Sequence, residues 1–383
     1  MWSRLILAAL FGIGLPGLSC ADETTASSRS ELAGLLGAGE AGEFARAVEP
    51  RSFSFPADHG PHEAFRNEWW YFTGNLDGED GRRFGFELTI FRFSLSPDPV
   101  TADTAWRTNQ VYIAHFAVTD AEGNVFYATE KSARGALGLA GAQAEPFRVW
   151  IDDWEILGVA EDTWQIRAGE DDFAIELELA ALKPPVLNGD AGLSQKSDEP
   201  GNASYYYSMT RWRTDGEIRI GNDVHAVTGA SWLDREWSTS ALADDQQGWD
   251  WFALQFADNT ELMFYGLRKT DGTQDALSSG TWIDVDGTSE KLSREQVTVE
   301  VTRLWESPKG GVYPAGWRLS IEDKDLSVEV TPVIADQELS TIVRYWEGAV
   351  DVSGTRDGEP IGGRGYVELT GYAESEAERD RSD

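Results

Sequence analysis

From about Arg51 to Tyr372 the chain runs in short segments of β-branched and aromatic residues, with apolar and polar positions alternating. A period of two is the mark of strands half buried against a core. Glu87-Leu-Thr-Ile-Phe-Arg92, Val111–Thr119 and Phe173–Leu179 show it most clearly. Asp77-Gly78, Glu122-Gly-Asn124, Asp215-Gly216, Asp271-Gly272, Asp286-Gly287 and Asp357-Gly358 fall between such segments and predict hairpin turns. No segment after residue 50 carries an apolar stripe at helical spacing. The pattern predicts an all-β protein of antiparallel hairpins, with barrels the expected way of removing open sheet edges.

The pattern also repeats. Asn67-Glu-Trp-Trp-Tyr-Phe-Thr-Gly74 followed by Phe84–Arg92 is echoed by Gly248-Trp-Asp-Trp-Phe-Ala-Leu-Gln255 followed by Glu261–Arg268. Each is an acidic-aromatic strand hairpinned to an apolar strand that ends in Arg. The closings echo too, Gly229–Glu236 against Gly365–Tyr372. Two similar β units are expected, 51–240 and 241–372, joined through the polar stretch Ser240–Gln247. Aligning Gly229 with Gly365 sets Asp234, Arg235 and Glu236 against Thr370, Gly371 and Tyr372. On that alignment the second unit closes without the charges of the first.

The ends read differently. Arg4 and the apolar run Leu5–Leu18 are too short and too interrupted by Gly and Pro to span a bilayer, and residues 1–21 are expected to be a signal peptide. Ser19-Cys20-Ala21 permits cleavage before Asp22, or lipidation of Cys20 as a membrane tether. Gly12-Ile-Gly14-Leu-Pro-Gly17 has dinucleotide-motif spacing, but it lies in this leader with no strand before it. Residues 22–50 are expected to be a linker, with a short helix around Ser30–Val48, and 373–383 a frayed, charged tail. The protein is thus expected to be exported: periplasmic, lipid-anchored or secreted, with an export machine as a candidate partner.

Composition narrows the chemistry. There are 66 acidic and 32 basic residues in 383, a net charge of −34. With no basic stripe, nucleic acid is excluded as a partner. One Cys and four His exclude a disulfide scaffold and a His/Cys zinc site. His59 and His62 have no third ligand nearby and read as surface loop residues. Neither a Gly-x-Ser-x-Gly elbow nor a phosphate-binding Walker loop is present, and no cofactor is expected. What remains is an aromatic surplus of 16 Trp, 17 Phe and 11 Tyr, suited to β cores or to a pocket for an apolar ligand.

The densest candidate site is Trp232-Leu-Asp234-Arg235-Glu236-Trp237. In a strand Trp232, Asp234 and Glu236 share one face, and Leu233, Arg235 and Trp237 the other. Carboxyls flanked by indoles are desolvated, which raises their pKa toward the range of a general acid. Arg235 against Trp69 or Trp70 could equally close a barrel end by a cation–π contact. Trp249-Asp250-Trp251 is the second cluster, with Glu68 its counterpart beside Trp69-Trp70. Tyr206, within Tyr205–Tyr207, and Tyr345-Trp346-Glu347 add aromatic and polar groups that ordinary packing would also explain. His115 interrupts an apolar strand and reads either as a core histidine or as a proton donor.

Taken together, Phe55-Pro-Ala-Asp-His59-Gly-Pro-His62, Asn67–Gly74, Lys183-Pro-Pro-Val-Leu187, Gly201-Asn-Ala-Ser-Tyr-Tyr-Tyr207, Trp232–Trp237 and Gly248–Phe252 resemble the AttH-like / carotenoid 1,2-hydratase family of lipocalin-like proteins. The resemblance covers about 51–372. It implies two tandem lipocalin-like barrels and a site for a hydrophobic small molecule, with some relatives hydrating a carotenoid double bond and others promoting cyclisation of apolar substrates. The family's hydratases carry a His in the strand that here reads Asp234-Arg235-Glu236. Arg235 cannot exchange a proton near neutral pH, so the acid role moves to Asp234, Glu236 or Asp250. The expected ligand-binding set is Glu68, Trp70, His115, Tyr206, Trp232, Arg235, Trp237, Trp249, Trp251, Tyr345 and Glu347. The leading expectation is binding of a lipid or isoprenoid between the barrels, with cofactor-free, acid-catalysed hydration or cyclisation of an alkene. The alternative is a non-catalytic lipid carrier; hydrolysis ranks third.

Overall fold

The computed structural model describes residues 44–98, 100, 104–240 and 242–373. The leader 1–21 with Cys20, the linker up to residue 43 with most of its expected helix, and the tail after residue 373 lie outside the described residues. Every regular element described is a β-strand apart from three single-turn 3-10 helices, at 57–59, 294–296 and 322–324.

Two antiparallel sheets carry the fold. The first begins with a four-strand meander, β1 (Asn67–Gly78), β2 (Arg83–Ser94), β3 (Gln110–Asp120) and β4 (Val125–Arg134). A second meander follows: β5 (Ala140–Ala144), β6 (Phe147–Ile151), β7 (Trp154–Ala160), β8 (Thr163–Gly169) and β9 (Phe173–Ala181). The short β10 (Val186–Leu187) and β11 (Leu193–Gln195) pair with the long β12 (Ala203–Ile220), which hairpins into β13 (Asp223–Ser238). The hydrogen-bonded order is β4-β3-β2-β1-β13-β12-β9-β8-β7-β6-β5. Because β13 returns beside β1, the sheet curls into a nearly closed barrel around one aromatic core that includes Trp70, Trp154, Trp164, Trp212 and Trp237.

The second sheet repeats the device. It runs β14 (Gln246–Phe256), β15 (Glu261–Lys269), β16 (Ser279–Ile283), β17 (Ser289–Ser293) and β18 (Thr298–Val301). A separate hairpin, β19 (Leu304–Glu306) and β20 (Val312–Pro314), precedes β21 (Trp317–Ile321), β22 (Leu326–Pro332), β23 (Glu338–Ser340), β24 (Arg344–Arg356) and β25 (Glu359–Leu369). The order is β17-β16-β15-β14-β25-β24-β22-β21-β18, with β23 paired to β24. The last strand again returns beside the first, and the core gathers Phe252, Trp282, Trp317 and Trp346.

Burial along the strands shows which of them face the partner sheet. β8 and β9 alternate buried and exposed residues, as sheets with one wet face do. β1, β2 and β3 are buried almost without interruption. Their outer faces pack on β14, β15, β24 and β25, and two apolar clusters fill the seam, one around Tyr71, Tyr206, Trp232 and Trp251, the other around Phe91, Leu339 and Tyr345. Polar pins cross it too: Arg211 and Lys183 both reach Glu261, at 2.5 and 2.6 Å.

One expected turn is absent. Asp215-Gly216 lies inside β12, paired with Thr228 and Val227. Gly216 is there for close packing, since a Cβ at that position would fall 2.2 Å from the Glu176 carbonyl oxygen; the chain reverses instead between Ile220 and Asp223.

Candidate functional site

Strand parity builds the site. On β1, Trp70 and Phe72 enter the first core and Trp69 and Tyr71 face the seam. On β13, Leu233 and Trp237 point inward, while Asp234, Glu236 and Ser238 point to the seam. On β14 and β25, Phe252 and Leu369 enter the second core, while Trp249, Trp251 and Glu368 face across. Between the sheets lies a cavity of about 790 Å³, counting its open mouth. Its walls are Trp69, Phe91, Trp249, Trp251, Tyr265 and Tyr345, with acids set among them.

Two carboxyls in the cavity are raised far above the usual carboxylate range. Asp234 is held by Trp232 Nε1–H (2.7 Å) and Ser208 Oγ–H (2.5 Å) on one oxygen and by the Tyr206 hydroxyl on the other. Burial nevertheless dominates and lifts Asp234 to about 7, with the neighbouring Glu236 adding to the rise. Glu368, from the other sheet, accepts a hydrogen bond from Trp249 Nε1–H at 2.9 Å. Burial pushes it up to about 8, helped by the negative charges of Asp234 and Glu236. Beside Glu368, on the neighbouring strand, Glu347 accepts from the Tyr71 hydroxyl at 2.8 Å, and burial holds both Glu347 and Glu87 well above the usual carboxylate range. One oxygen of each of these two is buried without a hydrogen-bond partner. Glu236 is different. It forms an ion pair with Lys196 (3.1 Å), whose ammonium lies 4.2 Å over the Tyr265 ring. Although burial works against it, Glu236 helps hold Lys196 above its ordinary value. No group of three or more His, Cys, Asp or Glu side chains forms a metal site among the described residues.

The residues singled out from the sequence divide by face. Asp234, Glu236, Tyr206, Trp249, Trp251, Tyr345 and Glu347 line the cavity. Trp232 and His115 stand one layer behind, bonded to Asp234 and to Tyr345. Glu68, Trp70, Arg235 and Trp237 do not reach it. They close the end of the first barrel: Arg235 lies 4.0 Å over Trp70, and Glu68 pairs with both Arg235 and Arg92. Asp250 is also elsewhere, because it lies between Trp249 and Trp251 and so points into its own sheet. There Arg268 pairs with it at 2.7 Å and Tyr372 donates to it at 3.0 Å. Arg268 lies 3.6 Å over Tyr372. The second unit therefore does close with an arginine on an aromatic ring, but the arginine comes from β15, not from the last strand.

The histidines expected on the surface are buried or nearly so. The 57–59 turn folds over the barrel end, where His59 Nδ1 meets the Tyr207 hydroxyl at 2.6 Å and His62 stacks 3.6 Å from Trp237. Sequence reasoning missed Glu368, Glu87, Tyr71, Tyr265 and Lys196. A signal existed for Glu368, which stands two residues before the Thr370 that aligns with Asp234, on the same strand face.

A seam cavity between two curled antiparallel sheets, lined by rings and buried acids, places the chain among lipocalin-like β-barrel proteins. More narrowly, it belongs to the AttH-like family, whose model matches residues 46–372. The crystal structure of a candidate AttH from Nitrosomonas europaea is 34% identical, covering 86% of this chain and 100% of that one with a TM-score of 0.77. Kievitone hydratase from Nectria haematococca shares the fold at 16% identity, over 86% of this chain and 98% of its own, with a TM-score of 0.64. CghA in complex with Sch210972 does so at 10% identity, over 86% and 97%, with a TM-score of 0.51. A search of curated protein sequences finds no match.

Proposed function

We propose that the seam cavity binds an apolar alkene and protonates it, leading to hydration or cyclisation without a cofactor. The observation that carries this is the pairing of Glu368 and Asp234 in one aromatic cavity, with burial raising the first to about 8 and the second to about 7. Near pH 7.5 Glu368 is mostly protonated and Asp234 mostly ionised, so acid and counter-charge coexist. Glu368 gives its proton to the double bond. The cation that forms is stabilised by the Asp234 carboxylate and by the faces of Trp249, Trp251 and Tyr206. Water then adds, or a second double bond of the same molecule closes a ring and the ring cation returns a proton to the Glu368 carboxylate. That one structural neighbour is named a kievitone hydratase and another is CghA with Sch210972 fits this reading. The leader-like residues 1–21 support placing the activity outside the cytoplasm, with Cys20 as a possible tether point.

The test is incubation of the full mature chain with a panel of isoprenoid and aryl-substituted trisubstituted alkenes in ¹⁸O-water, followed by mass spectrometry. The expected result is one alkene that gains labelled water or isomerises to a ring. Glu368→Gln and Asp234→Asn should each lower that turnover about 100-fold or more, while ligand binding persists. A lipid that co-purifies unchanged, with no alkene converted, would replace catalysis with carriage.

A further inference from the structure

Hydration by this route frees one proton, which the Glu368 carboxylate can take only if water adds on the face from which Glu368 gave its own; addition on the other face needs a second recipient. After Glu368 has given its proton to carbon, the water that joins the cation must lose one. Asp234 is a poor recipient, since three donors already occupy its oxygens. Tyr345 is better placed. It lines the cavity from β24, and its hydroxyl lies 2.6 Å from Nδ1 of His115 on β3. On the far side of the ring, His115 Nε2 lies 3.2 Å from the Glu130 carboxylate on β4. His115 is fully buried, whereas the Glu130 side chain keeps 17% of its surface in solvent. Three side chains from three strands thus form an unbroken line from cavity to bulk water, crossing the seam between the sheets.

The polarity of the line follows from its ends. Burial, together with the nearby Glu87, Glu347 and Glu368, holds the Tyr345 hydroxyl well above its ordinary value, so Tyr345 keeps its proton and donates it to Nδ1. With Nδ1 accepting from Tyr345, the ring proton of His115 sits on Nε2 and points at Glu130. Glu130 also accepts the backbone N–H of Ile342 at 3.2 Å and a bond from Thr341, and with His115 these outweigh its partial burial and keep its pKa low. Among the described residues, the remaining ring against His115 is Phe91, at 5.4 Å, which cannot exchange a proton. Every hydrogen bond points outward.

We propose that Tyr345, His115 and Glu130 form a proton exit, in which Tyr345 takes the proton of the adding water while His115 and Glu130 act through it as positioning residues. The step balances. As the new C–O bond forms, the water proton moves to Tyr345 Oη, the Tyr345 proton to His115 Nδ1, and the His115 Nε2 proton to Glu130, which releases it to solvent; a turn of the His115 ring then restores the Nε2–H form for the next turnover. Glu368 regains a proton from solvent through the cavity mouth. This assignment rests on the hydration reading for its purpose, but its geometry can be tested without a substrate.

The experiment uses the full chain with ¹³Cζ-labelled tyrosine and ¹⁵N-labelled histidine. Exchange of the Tyr345 hydroxyl is read from the deuterium isotope shift on its ¹³Cζ in mixed H₂O and D₂O, and the His115 tautomer from its ring ¹⁵N shifts. The expected result is the Nε2–H tautomer, with Tyr345 exchange slowed about 100-fold in Glu130→Gln, a variant that keeps the shape but cannot carry the proton. A latch that merely holds the sheets together would move the melting temperature and leave exchange unchanged. Unaltered exchange in Glu130→Gln, or a His115 proton on Nδ1, overturns the proposal. If exchange slows but no alkene in the ¹⁸O-water panel is converted, the exit stands and the hydration reading fails.

Discussion

At the scale of single residues, the site depends on two carboxyls whose environments set their pKa values in neighbouring ranges. The proposed reaction needs Glu368 protonated and Asp234 ionised. The acid limb of a rate profile should therefore follow a group near 7 and the alkaline limb a group near 8, giving a narrow bell between them. Measuring kcat against pH on the alkene found in the labelled-water assay checks this; a plateau extending well below pH 6 would remove Asp234 from the role. Glu68 shows the opposite electrostatics. It is fully buried, yet Arg92 and Arg235 outweigh desolvation and hold its carboxyl far below the usual range. Glu68→Gln leaves two buried guanidinium groups short of their counter-charge and should cost about 3–5 kcal/mol in denaturant unfolding. The seam cavity lies on the other face of the sheet, so apolar ligand affinity in the remaining folded protein should be nearly unchanged.

At the scale of strands, alternation in the sequence was enough to predict hairpins, and counting by two separated Asp234 and Glu236 from Arg235 correctly. What alternation does not contain is which face meets the partner sheet. Trp249-Asp250-Trp251 looked like an acid between indoles, but the three residues diverge, and the acid turns toward Arg268 while the indoles line the cavity. The sequence puts Glu368 on one strand face with Thr370, but that this face meets the first sheet depends on β25 returning beside β14, which is a long-range pairing. Gly216 likewise read as a turn because a glycine demanded by close packing resembles one demanded by chain reversal. The seam itself is tight where β2 meets β24. A Cβ on Gly85 would fall 2.5 Å from the Ala349 Cβ. Gly85→Val should push these strands apart and cost about 1–3 kcal/mol. The check is a denaturant midpoint together with ligand affinity; a neutral effect on both would mean that the seam yields without consequence.

At the scale of the whole molecule, the two curled sheets are joined by a seam that buries several acids. Glu87 comes from the first sheet, Glu347 and Glu368 from the second, and all three are raised by burial. The folded state therefore binds more protons than the unfolded chain between the ordinary glutamate range, about 4.5, and the raised values, about 8 for Glu368. Stability must fall as pH rises through that window. Self-repulsion from a net charge of −34 acts in the same direction. A lower melting temperature at about pH 8.5 than at about pH 5 is expected, and Glu87→Gln should flatten the difference. The fold class and the aromatic walls were thus readable from composition and periodicity, whereas the acid pairing across the seam belongs to the tertiary structure alone. The most direct test of that pairing is a side-chain carboxyl ¹³C NMR titration of the intact protein, assigned with Glu368→Gln and Asp234→Asn. The account predicts that Glu368 titrates near 8 and Asp234 near 7; titration of both in the ordinary range, about 4–4.5, would contradict it.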